Sequence, residues 1–387
     1  MATKLSLVKC NNYDQTLVDE AIRQSLENLG GMARFVKPGQ KVLIKPNALL
    51  GKSPDDAVTT HPAIIAAVVK AVIKAGGIAL VGDSPGNAHS NVPKTMEETG
   101  IKQATEAAGG QLIYFQQDGV VEVKSPSNNP RLSLLRIAKI ALEADVIINL
   151  PKLKTHGLTL YTGAIKNMFG VVPGFNKASF HTSSPRPRDF AESIVDVFQI
   201  AKPALNIMDA VVGMEGPGPS NGYPRRLGLI MASTDAVALD SVGAYLIGYE
   251  PSRIYTTLAA SKRQLGEMDL ARIEISGPSL SELRQPDWKK SFNLEGLIDH
   301  LPGFVFALFN PIISQIKIYP QIDQSKCVKC LICVNNCPAK TIDYDKSAKK
   351  VEVIKKNCIS CFCCHELCPY NAVKLERSWL VRLLKLG

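Results

Sequence analysis

Nine of the ten cysteines fall in the last 61 residues, with a spacing that suits thiolates around a metal cluster better than a secreted disulfide framework. CVKCLICVNNCPAKTI, from Cys327, and CISCFCCHELCPYNAV, from Cys358, match at a constant offset of 31 residues. Each reads C-x2-C-x2-C-x3-C-P. Three thiolates spaced in this way let a short loop wrap one corner of an iron–sulfur cubane while backbone amides point at its sulfides. The fourth cysteine follows too closely to close the same cluster comfortably. In the two-cluster pattern it crosses over, which groups Cys327, Cys330, Cys333 and Cys368 around one 4Fe-4S cluster and Cys358, Cys361, Cys364 and Cys337 around the other. Pro338 and Pro369 then turn the chain away. Cys363 matches Ile332 of the first repeat and reads as small apolar cover for the cluster, with Ile332, Ile359 and Phe362. Lys346, Lys349, Lys350, Lys355 and Lys356 between the repeats read as a solvated hairpin face, with docking of an acidic redox partner as the functional alternative.

Residues from about 321 to 377 resemble, over its whole length, the bacterial two-cluster ferredoxin domain. Electron transfer is the activity that this resemblance implies.

A second set of polar residues lies upstream, each just after an apolar run. Lys45 and Asn47 follow KVLI (41–44), Asp83 and Ser84 follow IALV (78–81), and Lys152, Lys154 and His156 follow VIINL (146–150). Asp209 and Glu215 follow ALNIM (204–208), and Thr234 and Asp235 follow LGLIMA (227–232). LPKLKTH places two lysines and a histidine within five residues with no acid between them, and Lys166 and Asn167 follow in TGAIKNMFG. Such a group suits an anionic carboxylate or phosphate. Lys154 and His156 are the candidate catalytic residues, with His156 near the pKa that proton transfer needs. Lys45, Asn47, Asp83, Lys152, Lys166, Asn167 and Asp235 are the candidate binding residues, Asp83 or Asp235 orienting the ligand or holding a cation. Turn and cap chemistry is the competing account of Asp83-Ser84-Pro85-Gly86, Thr234 and Asp235.

These residues need a frame. The apolar runs alternate with helical stretches, Pro62 to Ala75 and Asp189 to Ala201 among them, with Pro62 at the first helical position and His61 at the cap. Strand, helix, strand implies an α/β fold: a mainly parallel sheet covered by helices on both faces, which binds ligands beyond the carboxyl ends of its strands. The expected organisation is an α/β domain over 1–277, a connector over 278–320 packed on it through Trp288, Phe304, Phe306 and Phe309, a small α+β two-cluster domain over 321–377, and a basic amphipathic tail over 378–387.

KPN (45–47), THP (60–62), GDSPG (82–86), LPKLKTH (150–156), GAIKNMFG (163–170), DAVVGMEGPGP (209–219) and STDAVALD (233–240) together resemble the family called domain of unknown function 362, over about residues 5 to 250. Members of that family are often fused to a C-terminal ferredoxin module. The resemblance supports the domain division and the strand-end residues and names no substrate.

Composition narrows the partners. With 45% hydrophobic and 21% charged residues, the chain is an ordinary globular protein. The formal charge of +10 falls to roughly +6 once eight thiolates surround two 2+ cores, so nucleic acid is not expected as a partner. No uninterrupted apolar stretch is long enough for a transmembrane segment; Phe304 to Ile313 is short and contains Asn310 and Pro311. Without a secretory leader in MATKLSLVKCNNYD, a cytoplasmic location is expected. Neither G-x-G-x-x-G after a strand nor G-x-x-x-x-G-K-[ST] occurs, and GPGPSNG (216–222) misses the first spacing. The leading functional expectation is an iron–sulfur oxidoreductase whose clusters exchange electrons with a redox partner and with an anionic small molecule at the strand ends. A flavin is the natural second centre for a two-electron substrate, although no flavin motif is visible. An electron-transfer adaptor and a cluster-dependent maturation factor are the alternatives.

Overall fold

The computed structural model describes residues 3–86, 91–127, 132–174, 176–184, 186–291 and 318–376. The sheet strands of the main domain are β1 Thr3–Lys9, β2 Lys41–Pro46, β3 Ile78–Val81 and β4 Gln111–Leu112, with β5 Val120–Lys124 and β6 Leu134–Ala138 as a separate hairpin. They are followed by β7 Val146–Leu150, β8 Lys152–His156, β9 Leu160–Thr162, β10 Leu205–Glu215, β11 Tyr223–Ser233 and β12 Ile273–Ser276. The main sheet runs β12-β1-β11-β10-β7-β2-β3-β4, with β8 pairing β10 and β9. Its centre is parallel, β3 and β7 each pairing β2, and β10 pairing both β7 and β8. The pairs β1/β11, β10/β11 and β8/β9 are antiparallel, so the sheet is mixed.

Period-two alternation explains why the central strands are apolar throughout. Val42 and Ile44 point to a core under the helices Gln15–Glu27 and Pro62–Lys74, while Leu43 between them joins the core under Pro187–Ile200 and Ala236–Leu246. Both faces are therefore covered, as the alternation of runs and helices implies. His61 caps the helix that starts at Pro62, its Nδ1 accepting from Ala63 N at 3.2 Å. The helix expected from Asp189 starts two residues earlier, at Pro187.

LPKLKTH departs from its reading as a strand exit. Pro151 interrupts β7, but the chain resumes at once as β8, buried along its whole length and paired to the extended end of β10. Lysines hid this strand because apolar periodicity cannot report a strand whose buried side chains are charged.

Beyond the main sheet, Trp288 is buried with the Arg225 guanidinium over its ring at 5.0 Å. Phe304, Phe306, Phe309, His89, His300 and the tail 378–387 lie outside the described residues.

The sequence repeat becomes a structural one in the C-terminal module. β13 Tyr319–Ile322 pairs β16 Val373–Glu376, and β14 Ile342–Asp345 pairs β15 Lys350–Val353. The short helices Ile332–Asn335 and Cys363–Glu366 occupy matching places. Left-handed backbone recurs in register, at Lys329 and Ser360 (φ 59° and 51°), Leu331 and Phe362 (59° and 60°), and Lys340 and Asn371 (51° and 50°). These turns fold each cysteine loop back on itself.

The module is held against the main domain by the GPGPSNG segment. Ser220 Oγ donates to Glu366 O at 2.6 Å and Asn221 Nδ2 to His365 O at 2.5 Å. Lys52 Nζ bridges Ser220 O at 2.9 Å and Asn371 Oδ1 at 3.3 Å. The second repeat is thus the docked one, whereas Val328 and Cys330 of the first are exposed.

Candidate functional site

A cavity of about 90 Å3 lies where the second repeat meets the strand ends. One wall comes from the main domain: Asn47 after β2, Asp83 and Ser84 after β3, Lys154 and His156 on β8, Lys166 and Asn167 on the helix Ala164–Asn167, and Lys177 and His181 on the helix Asn176–Ser183. Cys363, Glu366 and Leu367 of the second repeat form the other. This space holds about three water molecules or one small organic anion.

The strand-end lysines divide into two kinds. Lys45 Nζ meets Asp83 Oδ1 at 2.7 Å, while Asp83 Oδ2 accepts from Ala48 N at 2.7 Å. Lys152 Nζ meets Asp209 Oδ2 at 2.9 Å and donates to Tyr13 Oη at 2.8 Å; Tyr13 in turn donates to Asp209 Oδ1. Both pairs are buried, and neither Lys45 nor Lys152 lines the cavity. No acid stands near Lys152 in LPKLKTH because its partner comes from β10, where Asp209 lies opposite Lys152 in the register. The expectation that Lys45 and Lys152 reach the ligand is corrected accordingly: each is neutralised within the protein.

Lys154, Lys166 and Lys177 are the second kind. Lys154 Nζ donates to Asn47 Oδ1 at 3.0 Å and to Val58 O at 2.7 Å, and Lys177 Nζ donates to the carbonyls of Ser84 and, at 3.0 Å, of Pro85. These acceptors are neutral. Lys154 is further fixed by a chain of amides: Asn47 Nδ2 donates to Asn167 Oδ1 (2.9 Å), Asn167 Nδ2 to Asn149 Oδ1 (2.7 Å) and Asn149 Nδ2 to Asn206 Oδ1 (2.9 Å). Burial, then the neighbouring lysines Lys166 and Lys152, pushes Lys154 well below the usual lysine range. Burial brings Lys177 down to about 7 and also lowers Lys166, against a partial upward pull from Glu366 and Cys363.

His156 is held as a neutral imidazole. Its Nδ1 accepts from the amides of Leu158 (3.0 Å) and Thr159 (3.4 Å), which leaves the proton on Nε2, 3.5 Å from Glu366 Oε1. Burial and then Lys166 and Lys154 push its pKa well below 6.5, so the expected value near that of a proton-transfer group is corrected: His156 is a fixed donor through Nε2. Burial raises Glu366 above the ordinary glutamate value.

Asp235 is elsewhere. It caps the helix Ala236–Leu246, accepting from Val237 N and Ala238 N, and also takes Glu267 N at 2.8 Å. It does not line the cavity, so its binding assignment is corrected to a structural one, and it caps the helix in place of Thr234. The glycines of GAIKNMFG have steric causes: a Cβ at Gly163 would run into Asp240 and one at Gly170 into Asp83 and Lys45.

The cysteines gather as two groups. Cys327, Cys330, Cys333 and Cys368 line one small cavity with Ile322, Val351 and Val373. Burial, and then Cys361 and Cys337 close by, raises the Cys358 thiol, and burial with Cys361, Cys358, Cys333 and Cys337 raises that of Cys364. Thr341 N donates to Cys337 Sγ at 3.2 Å and Ala372 N to Cys368 Sγ at 3.3 Å, at matching places in the repeats. The convergent sulfurs under apolar cover fit iron–sulfur clusters.

Glu366, Lys177, His181, Asn149 and Asn206 escaped the sequence reading. A signal for Glu366 was present, since the repeats part company over 362–367, where FCCHEL stands against LICVNN.

The family described as "Domain of unknown function (DUF362)" matches residues 42–245, and a "4Fe-4S dicluster domain" matches 319–369. This chain belongs to the DUF362 family. It is a DUF362 domain fused to an iron–sulfur electron-transfer module, the order expected from the motifs. The thylakoid-associated protein sll1697 of Synechocystis sp. is 38% identical over 290 residues, 75% of this chain and 88% of that protein. Two solved structures are more distant. The lactate racemase apoprotein of Thermoanaerobacterium thermosaccharolyticum matches 64% of this chain and 57% of its own at 13% identity and a TM-score of 0.41. A Thermotoga maritima protein matches 66% and 60% at 14% identity and a TM-score of 0.38. The chain spans less than two thirds of either solved chain. Among the described residues, no helix is long and apolar enough to cross a membrane.

Proposed function

We propose that this DUF362 protein is an iron–sulfur oxidoreductase that exchanges electrons with a small anion bound between its two domains. The supporting observation is the shared wall: Cys363, Glu366 and Leu367 of the second cysteine loop face the same cavity as Lys154, Lys166, Lys177 and His156. In this reading Cys327, Cys330, Cys333 and Cys368 hold one 4Fe-4S cluster and Cys337, Cys358, Cys361 and Cys364 the other, the second lying against the ligand. A redox partner meets the first repeat, where Cys330 and Val328 are exposed among Lys326, Lys329 and Lys340. The clusters supply single electrons.

The chain's own residues bind and orient. Lys154, Lys166 and Lys177 meet no carboxylate at ion-pair distance among the described residues, so an anion would complete them and draw protons back onto lysines depressed by burial. His156 Nε2 offers a hydrogen bond, and Asn47 and Asn167 keep Lys154 aimed. At about 90 Å3 the cavity suits an anion of a few heavy atoms better than a flavin, for pockets that take large ligands begin at about 300 Å3. A reducing compartment such as the cytoplasm suits such clusters.

Spin-resonance spectra of the anaerobically reduced protein with added small carboxylates or phosphate test the proposal. One of two cluster signals should change shape with the anion, and Lys166→Ala should abolish that change while leaving iron content intact. An unchanged spectrum with every anion, or a Lys166→Ala variant that responds as the wild type does, overturns it.

A further inference from the structure

The cavity wall contains more ligating chemistry than a cubane consumes. The ligand atoms of His181, Cys361 and Cys363 all lie within 4.8 Å of one another. Of these, only Cys361 belongs to the cluster pattern; His181 and Cys363 face the cavity. Two sulfurs and an imidazole nitrogen form a borderline-soft donor set, which suits divalent zinc, nickel, cobalt or iron better than magnesium or calcium. Metal–sulfur bonds of about 2.3 Å and metal–nitrogen bonds of about 2.0 Å place tetrahedral ligands about 3.5 to 3.8 Å apart, so closure around an ion needs a contraction of at most about 1.3 Å.

Two further observations point the same way. The His181 ring stacks on Phe190 at 4.4 Å, and Phe190 meets Phe169 edge-on at 5.7 Å, so packing fixes the imidazole. The corresponding residue in the first repeat is Ile332, which offers no ligand. The extra thiol is confined to the repeat that faces the cavity. Apolar cover alone accounts for a small residue at 363, but not for an imidazole brought within reach of it.

We propose that His181, Cys363 and Cys361 hold one divalent first-row transition-metal ion beside the second cluster, Cys361 bridging ion and cubane through its sulfur, with a fourth position open to the cavity. Binding replaces the Cys363 thiol proton, released to solvent, and moves no electron. Beside Lys166 the open position would take an oxygen of the small anion, so that the ion polarises the ligand at the cluster's edge. This inference rests on the proposed ligation of the second cluster by Cys361.

The test uses the anaerobically prepared holoprotein, freed of loose ions on a chelating resin, incubated with Co2+ and desalted. About one Co2+ per chain should remain with iron and sulfide unchanged, and its X-ray absorption edge should show sulfur together with nitrogen. His181→Ala and Cys363→Ser should each lower the retained cobalt by about tenfold or more while keeping iron. No retained cobalt in the wild type, cobalt gained at the expense of iron, an oxygen-only shell, or full retention by His181→Ala overturns the site. If Cys363→Ser sheds iron, His181→Ala decides alone. Failure of the cluster reading is seen separately, in the iron and sulfide counts before any cobalt is added.

Discussion

Lys152 and Lys166 carry the same charge near one site, yet the structure gives them opposite duties. Lys152 is buried against Asp209 and Tyr13, so Lys152→Ala strands a carboxylate in a dry interior. Loss of one partner of a buried pair costs about 3 to 5 kcal/mol, and anaerobic thermal unfolding should show a correspondingly large fall in midpoint. Lys166 has no such partner in contact among the described residues, and Lys166→Ala should leave the midpoint within a few degrees while abolishing the spectral response to anions. Equal destabilisation by both would refute the division. The lysines themselves were legible in LPKLKTH and GAIKNMFG. Their division was not, because Asp209 stands 57 residues from Lys152 and only the pairing of β8 with β10 brings them together. His156 shows the same limit: a histidine beside lysines reads as a proton carrier, until burial and two amide donors make it a neutral one.

At the scale of elements, the 31-residue repeat puts the proposed crossover of ligands to a test. Cys337→Ala should damage the cluster held by Cys358, Cys361 and Cys364, and Cys368→Ala the one held by Cys327, Cys330 and Cys333. The cavity distinguishes the two, since only the second repeat lines it. Spin resonance of Cys337→Ala should therefore lose the anion-sensitive signal, and Cys368→Ala should keep it; the reverse pattern would mean that each fourth cysteine serves its own loop. The repeat was readable because ligand spacing is local. The strands KVLI, IALV and VIINL were readable because parallel strands buried on both faces are apolar throughout. β8 was not, since its lysines are buried by pairing rather than by being apolar. GPGPSNG could be rejected as a dinucleotide loop, yet nothing local to it foretold that Ser220 and Asn221 would clasp the second repeat.

Across the whole molecule, the buried lysines imply a stability that rises with pH where most proteins are flat. Lys154 lies well below 10.5 and Lys177 at about 7, both driven down by burial. In the unfolded chain these lysines stay protonated until about pH 10, so between pH 7 and 9 the unfolded state binds more protons than the native one. Stability rises wherever that holds, by up to about 1.4 kcal/mol per pH unit for each fully deprotonated lysine. Asp240 works the other way: burial raises it to about 7, so its contribution is present below about pH 4, is lost on the way up to 7, and no longer changes above it. The anaerobic thermal midpoint should therefore climb from pH 7 to pH 9, and Lys177→Met should flatten the climb. A bound anion reverses the balance, because it restores protons to the lysines it meets. Small carboxylates that shift the cluster signal should accordingly bind more weakly as the pH rises over the same range, with net proton uptake on binding near pH 8 measurable by calorimetry in buffers of different ionisation enthalpy. If affinity is indifferent to pH while the midpoint still climbs, the lysines are depressed but do not meet the ligand.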